Sequence, residues 1–319
     1  MTKAVQQKRT RDPTLYELWG CRTVRPRVTI TRAEQPAEQD DSEKVLVVDL
    51  FCGCGGFSVG ASQAGHRVVL AVDCDDVALA YHRANHRACT HVRMKLGTHS
   101  EERLVALIRD HVPSAKKWHL HGSPPCQLFS SMRNVKKGKD HAAGMCLVEW
   151  YLDLVQRLRP DTWSFENVRS PAIRQIFEER GIAHGNFAFA RYGVPQTRTR
   201  CLAGSAEMIK AFREDLMLRV DVPRTPQDCL NPPPEAALIR ASGGKNVEYF
   251  YRRIDEPTWA LLCACKPVYV AEDRSCVRVL TIRELLHLQT FPRSYKMDAH
   301  GCIRMLGCLL YTSPSPRDS

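Results

Sequence analysis

The spacing of apolar and polar positions along the chain separates strands from helices. Lys44-Val-Leu-Val-Val-Asp-Leu-Phe51 is a short β-branched run, the pattern of a strand buried on both faces. Cys52-Gly-Cys-Gly-Gly56 breaks it, and Phe57–Ala64 predicts a helix closed by Gly65. A second apolar run, Arg67–Val72, ends at Asp73. Asp75–Asn85 follows as a helix whose first residues are acidic, which suits the positive end of the helix dipole. Further along, Glu101–Asp110 predicts a helix, Trp118–Gly122 a strand, Gly144–Arg159 a helix and Thr162–Phe165 a strand. The period dissolves into prolines and polar turns between Ser205 and Val277, and Thr281–Leu288 resumes as a helix. Strands alternating with helices imply an α/β fold with a doubly wound, mostly parallel sheet, interrupted by a small irregular subdomain.

Charge and composition narrow the partners. The 319 residues carry a formal net charge of +11, which favours a polyanion such as nucleic acid. Residues 1–32 are basic and residues 33–43 acidic, so the first 43 residues are expected to form a flexible arm. Together they contribute one net positive charge and leave +10 on the remainder. Within the arm, Thr14–Trp19 is a short apolar patch that could dock on a partner or collapse onto the fold. The longest apolar runs are far too short for a bilayer span, and no signal-peptide core opens the sequence, so a soluble intracellular protein is expected. The fourteen cysteines lack Cys-x-x-Cys pairing. No metal site is expected, and most thiols should be buried as small hydrophobes.

Several strand ends carry residues suited to chemistry. Phe51-x-Gly53-x-Gly55-Gly56 lies between a strand and a helix, and Asp73 closes the next strand. Glycines let a ligand approach the backbone, and the acid can accept hydrogen bonds from ribose hydroxyls. The spacing departs from Gly-x-Gly-x-x-Gly, which disfavours a nicotinamide dinucleotide. Ser123-Pro-Pro-Cys126-Gln127 follows a strand, and its two prolines would hold the Cys126 thiol in one place. Glu166-Asn167 ends another strand and would bring a carboxylate near that thiol. Arg133, Lys136, Lys137 and Lys139 follow Cys126 closely and could close on a phosphate backbone. Taken singly, each has a plain structural reading: a tight βα turn, a buried cysteine, a helix cap, a solvated charge run.

Together these segments resemble the cytosine-5 DNA methyltransferase family. Asp49-Leu-Phe-Cys-Gly-Cys-Gly-Gly-Phe57 is similar to its first cofactor motif, Gly122-Ser-Pro-Pro-Cys-Gln-Leu-Phe-Ser130 to its nucleophile motif, and Phe165-Glu-Asn-Val168 to its acidic motif. Tyr192–Arg200 resembles its Gln-x-Arg-x-Arg segment, and Leu280–Pro292 its late helix. The resemblance implies a Rossmann-like fold that binds S-adenosylmethionine, acting on double-stranded DNA. It implies Cys126 as nucleophile on cytosine carbon 6, Glu166 at ring nitrogen 3, Asn167 orienting that site, and Arg198 and Arg200 bracing the ring oxygen. Phe51, Gly53, Gly55, Asp73, Pro124 and Leu147 would line the cofactor site. Ser130, Arg133, Lys136, Lys137, Lys139 and Gln289 would meet nucleic acid. The target base would be flipped out of the duplex. A nuclear, epigenetic role is expected from such a substrate.

The implied organisation is an arm over 1–43, a catalytic domain over 44–204 returning at 278–307, and a target-recognition region over 205–277. That region is short, which points to a narrow sequence preference. The stretch Met94–Thr98 lacks the acid that the family uses at the cofactor's adenine, unless the alignment slips to Glu101. Residues 308–319 read as foreign or disordered tail in place of a final helix, and the loss of one wall of the cofactor pocket is expected. Two alternatives stay open: a tRNA cytosine-5 methyltransferase, and a catalytically impaired relative that binds nucleic acid. The tRNA branch is disfavoured because no Cys-Phe-Thr segment occurs between Ser205 and Val277.

Overall fold

Five apolar or half-apolar segments lie side by side as the parallel heart of one large sheet. In this computed structural model, residues 29–31, 44–125, 139–218, 223–230, 237–241, 249–261, 268–270 and 277–297 are described. The strands are β1 (Thr29–Thr31), β2 (Leu46–Leu50), β3 (Arg67–Asp73), β4 (Thr90–Arg93), β5 (Trp118–Gly122), β6 (Thr162–Asn167), β7 (His184–Ala188) and β8 (Thr199–Gly204). Their order is β1-β4-β3-β2-β5-β6-β8-β7. Strands β4, β3, β2, β5 and β6 run parallel, whereas β8 is antiparallel to both β6 and β7.

The helices that follow the strands are α1 (Gly56–Gln63), α2 (Asp76–Asn85), α3 (Glu101–His111), α4 (Lys139–Leu158), α5 (Pro171–Glu179) and α6 (Ala206–Leu218). Side chains alternate across a strand, so each strand feeds two cores. Leu46, Val48 and Leu50 of β2 join Leu120, Phe165 and the buried faces of α3, α4 and α5. Val47 points the other way, with Val68 and Ala71, toward Ala61 and Leu79 of α1 and α2.

Three sequence expectations change. Thr29–Thr31, placed in a flexible arm, pairs antiparallel with β4 and covers that edge of the sheet. Segment 205–218, assigned to the recognition region, is helix α6, whose Ile209 packs with Phe187, Tyr192 and Leu202 of the large sheet's own hairpin. The irregular subdomain also contains a second sheet of four antiparallel strands: β9 (Ala237–Ala241), β10 (Tyr249–Arg253), β11 (Val268–Val270) and β12 (Val277–Val279), in the order β10-β9-β11-β12. Interspersed prolines hide these short strands from a reading based on long apolar runs.

The second sheet is followed by α8 (Ile282–Leu288), whose start is fixed by a capping box between Thr281 and Glu284. A short turn of helix, α7 (Pro226–Cys229), lies earlier in the same region. Leu238, Ile254, Leu261, Leu285, Leu286 and Leu288 share a core with Cys54 and Val59, so this region packs directly on the glycine turn and on α1. Among the described residues no helix is long and apolar enough to cross a membrane, and no group of three or more His, Cys, Asp or Glu could hold a metal ion. Cys52, Cys54, Cys89 and Cys201 are buried.

Candidate active site

The carboxyl ends of β2, β3, β5 and β6 collect the candidate residues. After β2 the chain turns sharply: Phe51, Gly53 and Gly55 all have positive φ, at 59°, 53° and 95°. A left-handed phenylalanine is costly, so this turn is held from outside. The Gly53 amide donates to Asp73 Oδ2 at 2.9 Å, the Cys52 amide to Val72 O at 3.1 Å, and the Gly55 amide to Cys52 O at 2.9 Å. Gly55 then starts α1 without a side-chain cap, so the first-turn amides of that helix have no partner supplied by the capping position.

Asp73 accepts from the amides of Gly53 and Asp75, each at 2.9 Å, and its burial raises its carboxyl pKa. A carboxylate offers about four lone-pair sites, so two amide bonds still leave room for ribose hydroxyls. Phe51 meets Trp150 edge to face at 6.2 Å between centroids. Leu147, one helical turn before Tyr151 on α4, is buried in the same core. A glycine turn without side chains to block close approach, an acid at the next strand end and an apolar floor fit an adenosine-containing cofactor. The Met94–Thr98 stretch offers no acid there: Met94 and Leu96 are buried and apolar. Glu101 is engaged within the fold. Its carboxylate accepts from Trp150 Nε1 at 2.8 Å and from Arg157 at 2.6 Å, which ties it to α4.

At the end of β5, Gly122 lets Tyr151 come close. A Cβ added to Gly122 would lie 2.2 Å from the tyrosine ring. The Tyr151 hydroxyl reaches Leu120 O at 3.1 Å and Ser164 O at 2.8 Å, tying α4 to β5 and β6. Neither residue stood out in the sequence, because a lone strand glycine and a helical tyrosine carry no pairwise signal. The Ser123 amide and hydroxyl donate to Leu50 O and Phe51 O, each at 3.3 Å, joining the proline loop to the glycine turn. Asn167 Nδ2 donates to Pro124 O at 2.9 Å, while its Oδ1 accepts from the Val168 amide. Asn167 therefore holds the backbone that leads to Cys126, and Pro124 is buried. Cys126, Ser130, Arg133, Lys136 and Lys137 lie outside the described residues. Lys139 is the first residue of α4, and its side chain is likewise outside them.

Glu166, next to Asn167 on β6, is buried and accepts from Arg200 Nε at 3.0 Å. Burial raises its carboxyl pKa, while Arg200 and Arg198 pull it back in part. Arg200 reaches it because β8 pairs antiparallel with β6, with Glu166 opposite Leu202. Arg198 is 1% exposed and donates from Nη1 to Leu261 O at 3.3 Å. Gln196 alternates with these two arginines. Its Nε2 donates to Leu288 O at 2.5 Å and its Oε1 accepts from the Leu261 amide at 3.1 Å. Sequence reasoning recorded that motif yet left Gln196 out of the site. The strand period that it shares with Arg198 and Arg200 was the available signal. Gln289 lies at the end of α8 and is fully buried, so its side chain presents no surface to a nucleic acid in this arrangement.

The sheet order, with an antiparallel hairpin at one edge and a glycine turn after the central strand, defines a Rossmann-like methyltransferase fold. Residues 45–173 match the C-5 cytosine-specific DNA methylase family. The chain is 27% identical over 283 residues to the Type II methyltransferase M.HindV of Haemophilus influenzae, covering 78% of this chain and 86% of that one. It is 30% identical over 132 residues to the Type II methyltransferase M.HgiGI of Herpetosiphon aurantiacus, 97% of which is covered by 41% of this chain. A solved E. coli protein, described as a DNA modification methyltransferase encoded within a prophage, superposes with a TM-score of 0.60 at 19% identity. That match covers 84% of this chain and 95% of the other. The chain belongs to the C-5 cytosine-specific DNA methylase family. These relatives are bacterial Type II enzymes and give the expected nuclear, epigenetic role no support.

Proposed function

We propose that this protein transfers a methyl group from S-adenosylmethionine to carbon 5 of cytosine in DNA, as a DNA (cytosine-5-)-methyltransferase. The observation that carries the reading is the pair Glu166-Asn167. One side chain is a buried carboxyl with a raised pKa held by Arg200, and its neighbour fixes the loop that runs into Cys126.

Carbon 5 of cytosine is a weak nucleophile, and the chain's residues would activate it. The Cys126 thiolate adds to carbon 6, and the electrons of the 5,6 double bond pass into the ring toward nitrogen 3. Glu166, whose carboxyl pKa is raised by burial, would donate a proton or hydrogen bond to nitrogen 3 and so accommodate that charge. Arg200 holds Glu166 in place, and Arg198, buried and bonded to Leu261 O, braces the adjoining backbone. The cofactor, held by Phe51, Gly53, Gly55, Asp73, Pro124 and Leu147, supplies an electrophilic methyl group. Loss of the carbon 5 proton to a base then expels the thiolate and restores the aromatic ring. Ser130, Arg133, Lys136, Lys137 and Lys139 would follow the phosphate backbone, and the four-stranded sheet would read the groove. The catalytic domain in this reading extends through α6, and the recognition region begins after it.

Covalent trapping tests the proposal. Duplex DNA containing 5-fluorocytosine, incubated with protein and S-adenosylmethionine, should yield a denaturant-resistant adduct that Cys126→Ser abolishes. The fluorine blocks the final elimination and leaves the carbon 6 bond intact. An adduct formed only on a tRNA bearing the same base would assign the chain to RNA. No adduct on either substrate would leave a nucleic-acid binder without methyl transfer.

A further inference from the structure

The face of the large sheet that carries α1 and α2 holds a buried chain of hydrogen bonds that no step of the proposed reaction uses. His91 Nε2 lies 2.8 Å from His82 Nδ1, His82 Nε2 lies 3.0 Å from Ser58 Oγ, and Ser58 Oγ donates to Asp49 Oδ2 at 2.6 Å. All four side chains are essentially buried. A hydroxyl has one proton, so with Ser58 donating to Asp49 it must accept from His82 Nε2–H. His82 Nδ1 is then bare and accepts from His91 Nε2–H. With Asp49 ionised, one tautomer of each ring satisfies the chain and every proton in it points toward Asp49; with Asp49 protonated, the same four groups stay bonded with each donor and acceptor exchanged.

The chain spans the glycine turn. Asp49 lies on β2 just before it, and Ser58 lies in the first turn of α1 just after it. The rings also support the turn directly. A Cβ on Gly55 would lie 3.0 Å from His82 Cδ2, 3.0 Å from His86 Nε2 and 3.1 Å from the Tyr295 hydroxyl, which itself donates to Cys54 O. Burial keeps both histidines neutral at ordinary pH. His91 is lowered to about 4, with Arg83 and His86 adding repulsion, and His82 lies lower than usual through burial, His86 and His91. Asp49 is pushed up to about 7 by burial, with Asp73 adding repulsion.

We propose that His82 and His91 are positioning residues for the cofactor turn: by donating through Ser58 to Asp49 they fix the spacing between the strand end and the helix start that flank Gly53 and Gly55. The inference rests on the reading that this turn binds S-adenosylmethionine, yet its geometric part can be tested without ligand. In the full chain, His91→Leu removes the donor, whereas His91→Gln retains an amide N–H that can take its place. Amide hydrogen exchange at Gly53 and Gly55 in the free protein should speed up about tenfold in His91→Leu and stay within about threefold in His91→Gln. The dissociation constant for S-adenosylhomocysteine, measured by titration calorimetry, should rise about tenfold in the first variant and recover in the second. Wild-type exchange rates and affinity in a folded His91→Leu protein would overturn the proposal. If that variant does not fold, Ser58→Ala cuts the same chain at its other end, and the exchange readout decides. If the wild-type protein does not bind S-adenosylhomocysteine, the cofactor reading fails, and exchange still decides the positioning role.

Discussion

The two faces of the large sheet are built on different principles. Toward α3, α4 and α5 the strands present Leu46, Val48, Leu50, Leu120 and Phe165, and the layer is closed by aliphatic and aromatic side chains. Toward α1 and α2 the same strands present Asp49, His91, His119 and His121, met by Ser58, His82 and Phe57. Phe57 stacks on the His121 ring at 3.6 Å, and Ser164 Oγ bridges His121 Nδ1 and His119 Nε2 at 2.7 and 2.8 Å. The apolar face gains from area removed from water and tolerates no volume error. The polar face gains geometric definition, because each buried nitrogen and oxygen constrains its neighbours. It carries a desolvation cost in exchange.

That contrast can be broken from the apolar side first. Gly122→Ala should be the most damaging change: its Cβ would collide with Tyr151, which cannot retreat without losing its bonds to Leu120 O and Ser164 O. A loss of about 3 kcal/mol or more is expected in urea unfolding. Leu120→Ala, at a fully buried position, should cost about 2–5 kcal/mol by the same measurement, with no dependence on pH.

The polar face should respond to acid. Burial lowers His86, His91 and His119 to about 4, and also holds His82 and His121 well below the ordinary histidine value. An unfolded histidine titrates near 6.5, so between pH 6.5 and about 4 the unfolded chain binds protons that the folded chain refuses. Stability should therefore fall as pH drops through that window, read as a lower urea midpoint at pH 5 than at pH 7.5. His119→Gln should flatten the slope by about one proton. A wild-type midpoint independent of pH would remove the claim that these rings are buried neutral.

Asp49 works with the opposite sign and a smaller effect. Its folded pKa of about 7 exceeds the ordinary carboxyl value of 3.8, so its contribution is present at low pH and is lost as pH rises through 7. Asp49→Asn keeps an acceptor for Ser58 and should be neutral at pH 4 but stabilising at pH 8. Equal effects at both values would show that Asp49 is ionised at little cost.

The two faces were also unequally legible in the sequence. Strands β2 and β3 are legible through Val and Leu runs, β5 and β6 through short stretches around Leu120 and Phe165, and α4 through its helical period. Strand β4, Thr-His-Val-Arg, did not, because His91 faces the polar layer and only Val92 enters the apolar core. Hairpin β7–β8 carries Arg200 toward Glu166, so its pattern is set by an ion pair as much as by burial. Glycines and strand-end acids were visible as candidates because a turn constrains residue type locally. Ser58, His82 and Gln196 were not, since their meaning lies in partners 9 to 92 positions away.

Gln196 has a mechanical consequence. One amide bonds to Leu288 at the end of α8 and to Leu261 between β10 and β11, and it sits two residues from Arg198 and four from Arg200. Any rocking of the second sheet and α8 against the large sheet must break these bonds, with those joining Thr197 to Thr258 and Arg198 to Leu261, or drag the arginine segment with it. The protein thus has a linkage rod between the part that would feel a duplex and the part that would grip a base.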